Sequence, residues 1–181
     1  MYGIVNKAIE ELVVENFGEE KWHLIKAKSG IDIDFFISSE AYDDSITFKL
    51  AQAVSSEMNL PIDAVFVAFG EWWILKTAKE KYGSLLASGG NSFKEFIVHL
   101  PDFHTRVMLM YPNLTPPEFQ ITEIKENELN LHYFSKREGL SEFVRGLMQG
   151  LAKFYNVEIE IQLVQSRNDG DAHEIFHIQW N

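Results

Sequence analysis

Tyr133, Ser135 and Arg137 occupy alternate positions of an extended stretch, and Leu129 and Leu131 precede them on the same face. That face begins apolar and ends in two hydroxyls and a guanidinium. A guanidinium on the buried side of a strand needs an anion, and its planar fork fits a carboxylate. The neighbouring sequence offers no obvious acidic partner. A bound ligand carrying carboxylates would supply one.

The second chemical candidate is His104. It follows Pro101-Asp102, a helix-start signal, and shares helical spacing with Ile97, Leu100, Val107, Met108 and Tyr111. Pro101 is a natural break that would leave Ile97 and Leu100 to the preceding helix. The imidazole therefore sits on an apolar face. Two readings stay open on the residues alone. One is a core histidine hydrogen-bonded to backbone. The other is an axial ligand of haem iron, with one ring nitrogen on the metal and the other held by an acceptor. Haem carries two carboxylates, which the Tyr133–Arg137 face could hold.

Composition narrows the alternatives. The chain has 181 residues, a formal net charge of −11 and no cysteine. This length suits one domain around a sizeable core. The acidic balance, without a basic patch, argues against nucleic acid and against an anionic membrane surface. The lack of cysteine excludes disulfides, iron–sulfur clusters, thiolate-ligated haem and covalent haem attachment. Glu10 and Glu11 interrupt any signal-peptide pattern, and the richest apolar run, Ala64 to Leu75, is short and contains Glu71. The expectation is a soluble cytoplasmic protein. In that setting the Asn113-Leu114-Thr115 acceptor pattern carries no weight.

Other chemistry fares poorly. There is no G-x-S-x-G, no H-E-x-x-H and no phosphate-cradling glycine loop. His173 and His177 are expected on a strand, facing water, opposite in parity to Phe176, Ile178 and Trp180. A zinc pair there lacks further ligands at motif spacing. His23, His99 and His132 show no partner pattern. Of the adjacent Trp72 and Trp73, one is expected in the core and the other at a cavity.

The elements that must position these groups change period midway. Ile4, Val5, Ala8, Ile9, Leu12 and Val13 predict a helix ended by Gly18, and a second helix follows over 19–28 before Gly30. Ser39 precedes a helix to about Met58, and Pro61 opens another through Gly70 to about Lys79. After the Gly89-Gly90-Asn91 break, helix resumes from Ser92. Phe119–Ile124 and Leu129–Ser135 then predict a hairpin, Leu140 to Phe154 an amphipathic helix, and Val157–Leu163 and Ile175–Trp180 two last strands. The fold class is α+β: a helical N-terminal lobe, about 1–60, precedes a C-terminal lobe, about 61–181, of helices and a four-stranded antiparallel sheet.

Met1-Tyr-Gly-Ile-Val-Asn-Lys, Phe69-Gly70, His104, Pro116-Pro117 and the Y-x-S-x-R of Tyr133, Ser135 and Arg137 occur in that order along the chain. In this the chain resembles, over essentially its whole length, the haem nitric oxide/oxygen-binding (H-NOX) domain related to the sensor of soluble guanylate cyclase. The resemblance implies one domain over 1–181, with non-covalent haem b buried between the lobes. It makes His104 the proximal iron ligand and Tyr133, Ser135 and Arg137 the propionate holders. Pro117 would press on the porphyrin. Ile4, Val5, Trp73 and Phe143 would lie on the distal side or its margin.

Some members carry a distal tyrosine that donates to bound dioxygen; aligning by Gly146 places Phe143 there. A phenylalanine favours nitric oxide over stable oxygen binding, because iron-bound dioxygen gains more from a donor. The implied function is a gas sensor, not an enzyme, binding nitric oxide (carbon monoxide next, oxygen less readily). Nitric oxide would weaken the His104–iron bond, and the lobes would shift about Gly70 and Gly146. A separate histidine kinase or diguanylate cyclase would read that shift, since this chain carries no output domain. An oxygen-binding or nitric-oxide-scavenging haem protein is the alternative.

Overall fold

A computed structural model describes residues 1–110 and 116–181. Tyr111 and Asn113-Leu114-Thr115 lie outside the described residues. Seven helices come first: α1 (Gly3–Phe17), α2 (Glu19–Ser29), α3 (Asp44–Met58), α4 (Ile62–Trp72), α5 (Lys79–Ala87), α6 (Phe93–Val98) and α7 (Leu100–Met110). A π-helical segment, Trp73–Ala78, joins α4 to α5. Then follow β1 (Glu118–Thr122), β2 (Glu128–Phe134), α8 (Ser141–Phe154), β3 (Ile159–Gln165) and β4 (Glu174–Trp180). The α+β class and the β-β-α-β-β order match the periodicity of the sequence.

The strands form one antiparallel sheet in the order β1-β2-β4-β3. β2 is central, and its alternation is fully expressed: Leu129 and Leu131 are completely buried and Tyr133 nearly so. The same inward face takes Phe176 and Ile178 from β4. This face packs with Phe96, Ile97, Met148 and Leu151 in one hydrophobic cluster. A second cluster gathers Ile9, Val13, Ile25, Leu50, Val54 and Phe66 from the first four helices.

α4 and α8 join the two clusters at very close range. A Cβ on Gly70 would stand 2.3 Å from the Phe143 carbonyl oxygen, and one on Gly146 2.1 Å from that of Val67. Only glycine lets the two backbones touch there. Gly30 ends α2 in the left-handed region at φ 67°, where its amide reaches the Ala27 carbonyl.

Three boundaries differ from the sequence expectation. α3 begins at Asp44, not after Ser39, because the Asp43 carboxylate caps the Ser45 amide at 2.8 Å. The residues before it pair with the chain terminus: Tyr2 bridges to Ala41, and the Tyr42 amide donates to the Met1 carbonyl at 2.7 Å. The helix opened by Pro61 does not stop near Lys79. It runs on to Ala87 through the π turn and a kink at Tyr82. A π turn inserts one residue per turn, so the apolar spacing loses phase and mimics an end. On α7, Leu100 belongs to the His104 helix, and Met108 is exposed rather than on its buried stripe.

Candidate functional site

A cavity of about 270 Å³ opens between α1, the π segment, α7, α8 and the inner face of the sheet. All nine residues singled out in the sequence line it: Ile4, Val5, Trp73, His104, Pro117, Tyr133, Ser135, Arg137 and Phe143. Its wall is otherwise almost wholly apolar, with Phe96, Phe103, Leu147 and Met148 among its members. Trp73 packs against both hydrophobic clusters and edge-on to Phe69, with centroids 6.4 Å apart. Trp72 packs within the helical cluster only, and Lys76 lies over its ring. Phe143 lies 4.9 Å from Phe69, centroid to centroid.

His104 enters from α7, in contact with Phe119 at 5.0 Å and Phe103 at 6.1 Å between ring centres. Burial pushes its pKa down to about 4, so the ring is neutral at ordinary pH. The Leu100 carbonyl one turn earlier opposes this shift, yet Nδ1 is sealed from solvent without a hydrogen bond of ordinary geometry. His104 lines the cavity. A neutral imidazole is the protonation state a metal requires.

Tyr133 lies near the end of β2, Ser135 and Arg137 follow in the loop before α8, and all three line the cavity. Phe119 lies between Tyr133 and His104, its ring centre 5.5 Å from that of Tyr133. Burial raises the Tyr133 phenol pKa and a hydrogen bond with Ser135 opposes the rise, so it remains a neutral donor. Ser135 Oγ accepts the Arg137 amide at 3.0 Å, and both side chains line the cavity.

Arg137 does have an acidic partner, though a distant one in sequence. Its Nε donates to Asp44 Oδ2 at 2.6 Å, and the Met1 ammonium pairs with the same carboxylate. Burial would raise the Asp44 pKa; the hydrogen bonds from the amino terminus and Arg137 overcome this, and it is held below the usual carboxylate range. Nothing in the sequence signals Asp44: it lies 93 residues from Arg137, among ordinary helix-start residues.

The outer face of the sheet corrects the reading of the histidines. His132 has partners after all: Thr122 Oγ1 at 2.7 Å and His173 Nε2 at 2.9 Å. His173 does not simply face water. It stacks on Phe134 with ring centres 4.0 Å apart. His177 Nδ1 donates to Asn130 Oδ1 at 2.9 Å. Cross-strand neighbours supply these contacts, which no local spacing reveals. Among the described residues, no three His, Cys, Asp or Glu side chains assemble to hold a metal ion.

The fold is α+β, and it holds an apolar cavity lined by one neutral imidazole and by the hydroxyl and guanidinium groups of Tyr133, Ser135 and Arg137. The chain belongs to the haem-NO-binding family, whose model matches residues 2–163. It is 26% identical to soluble guanylate cyclase gcy-31 of Caenorhabditis elegans over 183 residues, covering all of this chain. It is 26% identical to soluble guanylate cyclase 89Da of Drosophila melanogaster, over 93% of the chain. In each case the chain spans about a quarter of the relative's length (26%).

Solved structures agree on the fold. An H-NOX protein from S. oneidensis in the Fe(II)NO state superposes with a TM-score of 0.90 at 24% identity, covering 100% of this chain and 99% of that one. The Fe(II) unliganded H-NOX protein from K. algicida gives 0.87 at 26% identity, covering 100% and 97%. No single helix among the described residues is long and apolar enough to cross a membrane.

Proposed function

We propose that this chain is a haem-based gas-sensing domain that binds nitric oxide at ferrous haem b and signals by conformation to a separate protein. One observation carries the reading: nine residues scattered from position 4 to position 143 line a single cavity, the imidazole of His104 and the polar side chains of Tyr133, Ser135 and Arg137 among them. The residues fit the group. His104 offers an imidazole that burial keeps neutral. Tyr133, Ser135 and Arg137 offer donors for two propionates. Pro117 gives a rigid apolar contact that does not compete for iron.

Ferrous haem supplies an open coordination site for a diatomic gas. The chain's own residues supply the rest. Ile4, Val5, Trp73 and Phe143 exclude water. Phe143 places no hydrogen-bond donor on the gas side, which favours nitric oxide over oxygen. The whole chain acts as one domain in the cytoplasm, the lobe of about 1–60 moving against that of about 61–181. α4 packs on the helices of the first lobe, so its backbone contact with α8 at Gly70 and Gly146 is the pivot. For this to signal, the partner must bind the two states unequally. A histidine kinase or a diguanylate cyclase is the proposed class of partner, and the chain itself performs no catalysis.

The test is His104→Gly. The variant loaded with haem should lose the wild-type ferrous spectrum and regain it with added imidazole. An unchanged spectrum without imidazole overturns the ligand assignment. Ferrous wild type kept under air should show no lasting oxygen complex; a persistent one would favour the oxygen-binding reading.

A further inference from the structure

Beyond the cavity wall, the loop that carries Ser135 and Arg137 is held from behind by a partly buried ion pair. Arg167 stands in a short 3₁₀ turn between β3 and β4, whose start Ser166 caps. Its Nη1 donates to the Ser135 carbonyl at 2.7 Å and its Nη2 to the Arg137 carbonyl at 3.0 Å. Its Nε donates to both oxygens of Glu174, each at 2.9 Å. Glu174 is only 3% exposed and opens β4 directly opposite Tyr133 in the register. Its Oε1 also accepts a long hydrogen bond from the Ser141 hydroxyl at the start of α8, at 3.4 Å.

One guanidinium thus uses all three nitrogens, and two of its targets are the carbonyls of the two residues whose side chains line the clamp. Fixing the peptide units of alternate residues fixes the direction in which both side chains leave the chain. A lysine could keep the charge pairing with Glu174, but it lacks the rigid fork that reaches two carbonyls and a carboxylate together. Both Arg167 and Glu174 lie past residue 163, where the family match ends. The inference rests on the haem reading of the preceding section.

We infer that Arg167, anchored by Glu174, is a positioning residue that pre-organises Ser135 and Arg137 to hold the acidic arms of the bound ligand. It touches neither ligand nor iron; it acts through the backbone of the clamp.

The experiment compares wild type, Arg167→Lys, Arg137→Gln and the double variant, each as the full chain. Haem loss to an excess of apomyoglobin should be about tenfold faster in Arg167→Lys, the scale on which outer supports act. The double variant should lose haem faster than Arg137→Gln alone but by less than the product of the two single increases, because part of what Arg167 does runs through Arg137 and only its hold on Ser135 remains. In the haem-free proteins, amide exchange over 133–141 should quicken in Arg167→Lys while exchange in α1–α3 stays unchanged. Unchanged haem retention in Arg167→Lys overturns the inference. Additive losses in the double variant do so too, since they report general destabilisation. Wild type that takes up no haem is a different result: it sinks the haem reading itself, and this inference with it. If Arg167→Lys does not fold, Glu174→Gln keeps an acceptor for Nε and should give a smaller increase of the same pattern; wild-type retention there overturns the inference.

Discussion

Arg137 and Asp44 form an ion pair, Nε to Oδ2 at 2.6 Å, between the loop after β2 and the first turn of α3. The Met1 ammonium shares that carboxylate. The cavity wall at Arg137 is therefore tied to the helical lobe and to the amino terminus through one side chain.

Asp44→Asn tests that tie. Asp44 is more than a third exposed, so solvent screens the pair, and the loss should be about 1 kcal/mol or less by urea denaturation. The folded-state pKa lies below the ordinary 3.8, so the unfolded chain takes up the proton first. Wild type should hold its advantage above pH 3.8 and lose it as the pH falls through the lower folded value. A difference that grows on acidification would contradict this.

His104 gives the haem-free protein a second acid dependence. Its folded pKa of about 4 lies below the ordinary 6.5. The unfolded chain binds that proton more readily, so stability rises with pH. The contribution, on the order of 3 kcal/mol, is complete above pH 6.5 and drains away as the pH falls toward 4. Urea titrations of haem-free His104→Gln should show a flatter slope across that window than wild type.

Gly146→Ala forces a Cβ to within 2.1 Å of the Val67 carbonyl oxygen. The backbones of α4 and α8 must separate, at a cost of about 1–3 kcal/mol. Thermal unfolding should fall by several degrees, and a wild-type midpoint would mean that the two helices part easily.

Tyr133→Phe removes one buried hydroxyl and leaves the ring contact with Phe119. Stability should change by less than about 1.5 kcal/mol, the worth of one hydrogen bond. Haem loss should nevertheless quicken. Equal haem retention in the two proteins would remove Tyr133 from the clamp.

Local rules made much of this protein legible. Period-2 alternation in 129–133 placed Leu129, Leu131 and Tyr133 on the buried face, and they are buried. The 3.6-residue spacing of α1 and α8, with Gly18 and Gly30 as stops, set helices close to where they stand. Residue types alone single out His104 and the hydroxyl–guanidinium triad of Tyr133, Ser135 and Arg137. Only the tertiary structure brought them to one cavity, because helices and strands far apart in sequence meet through packing that no local period encodes. It also supplied Asp44 as the partner of Arg137, Arg167 behind the clamp and His173 beside His132. Each of those pairs spans at least thirty residues, so no window of sequence contains both members.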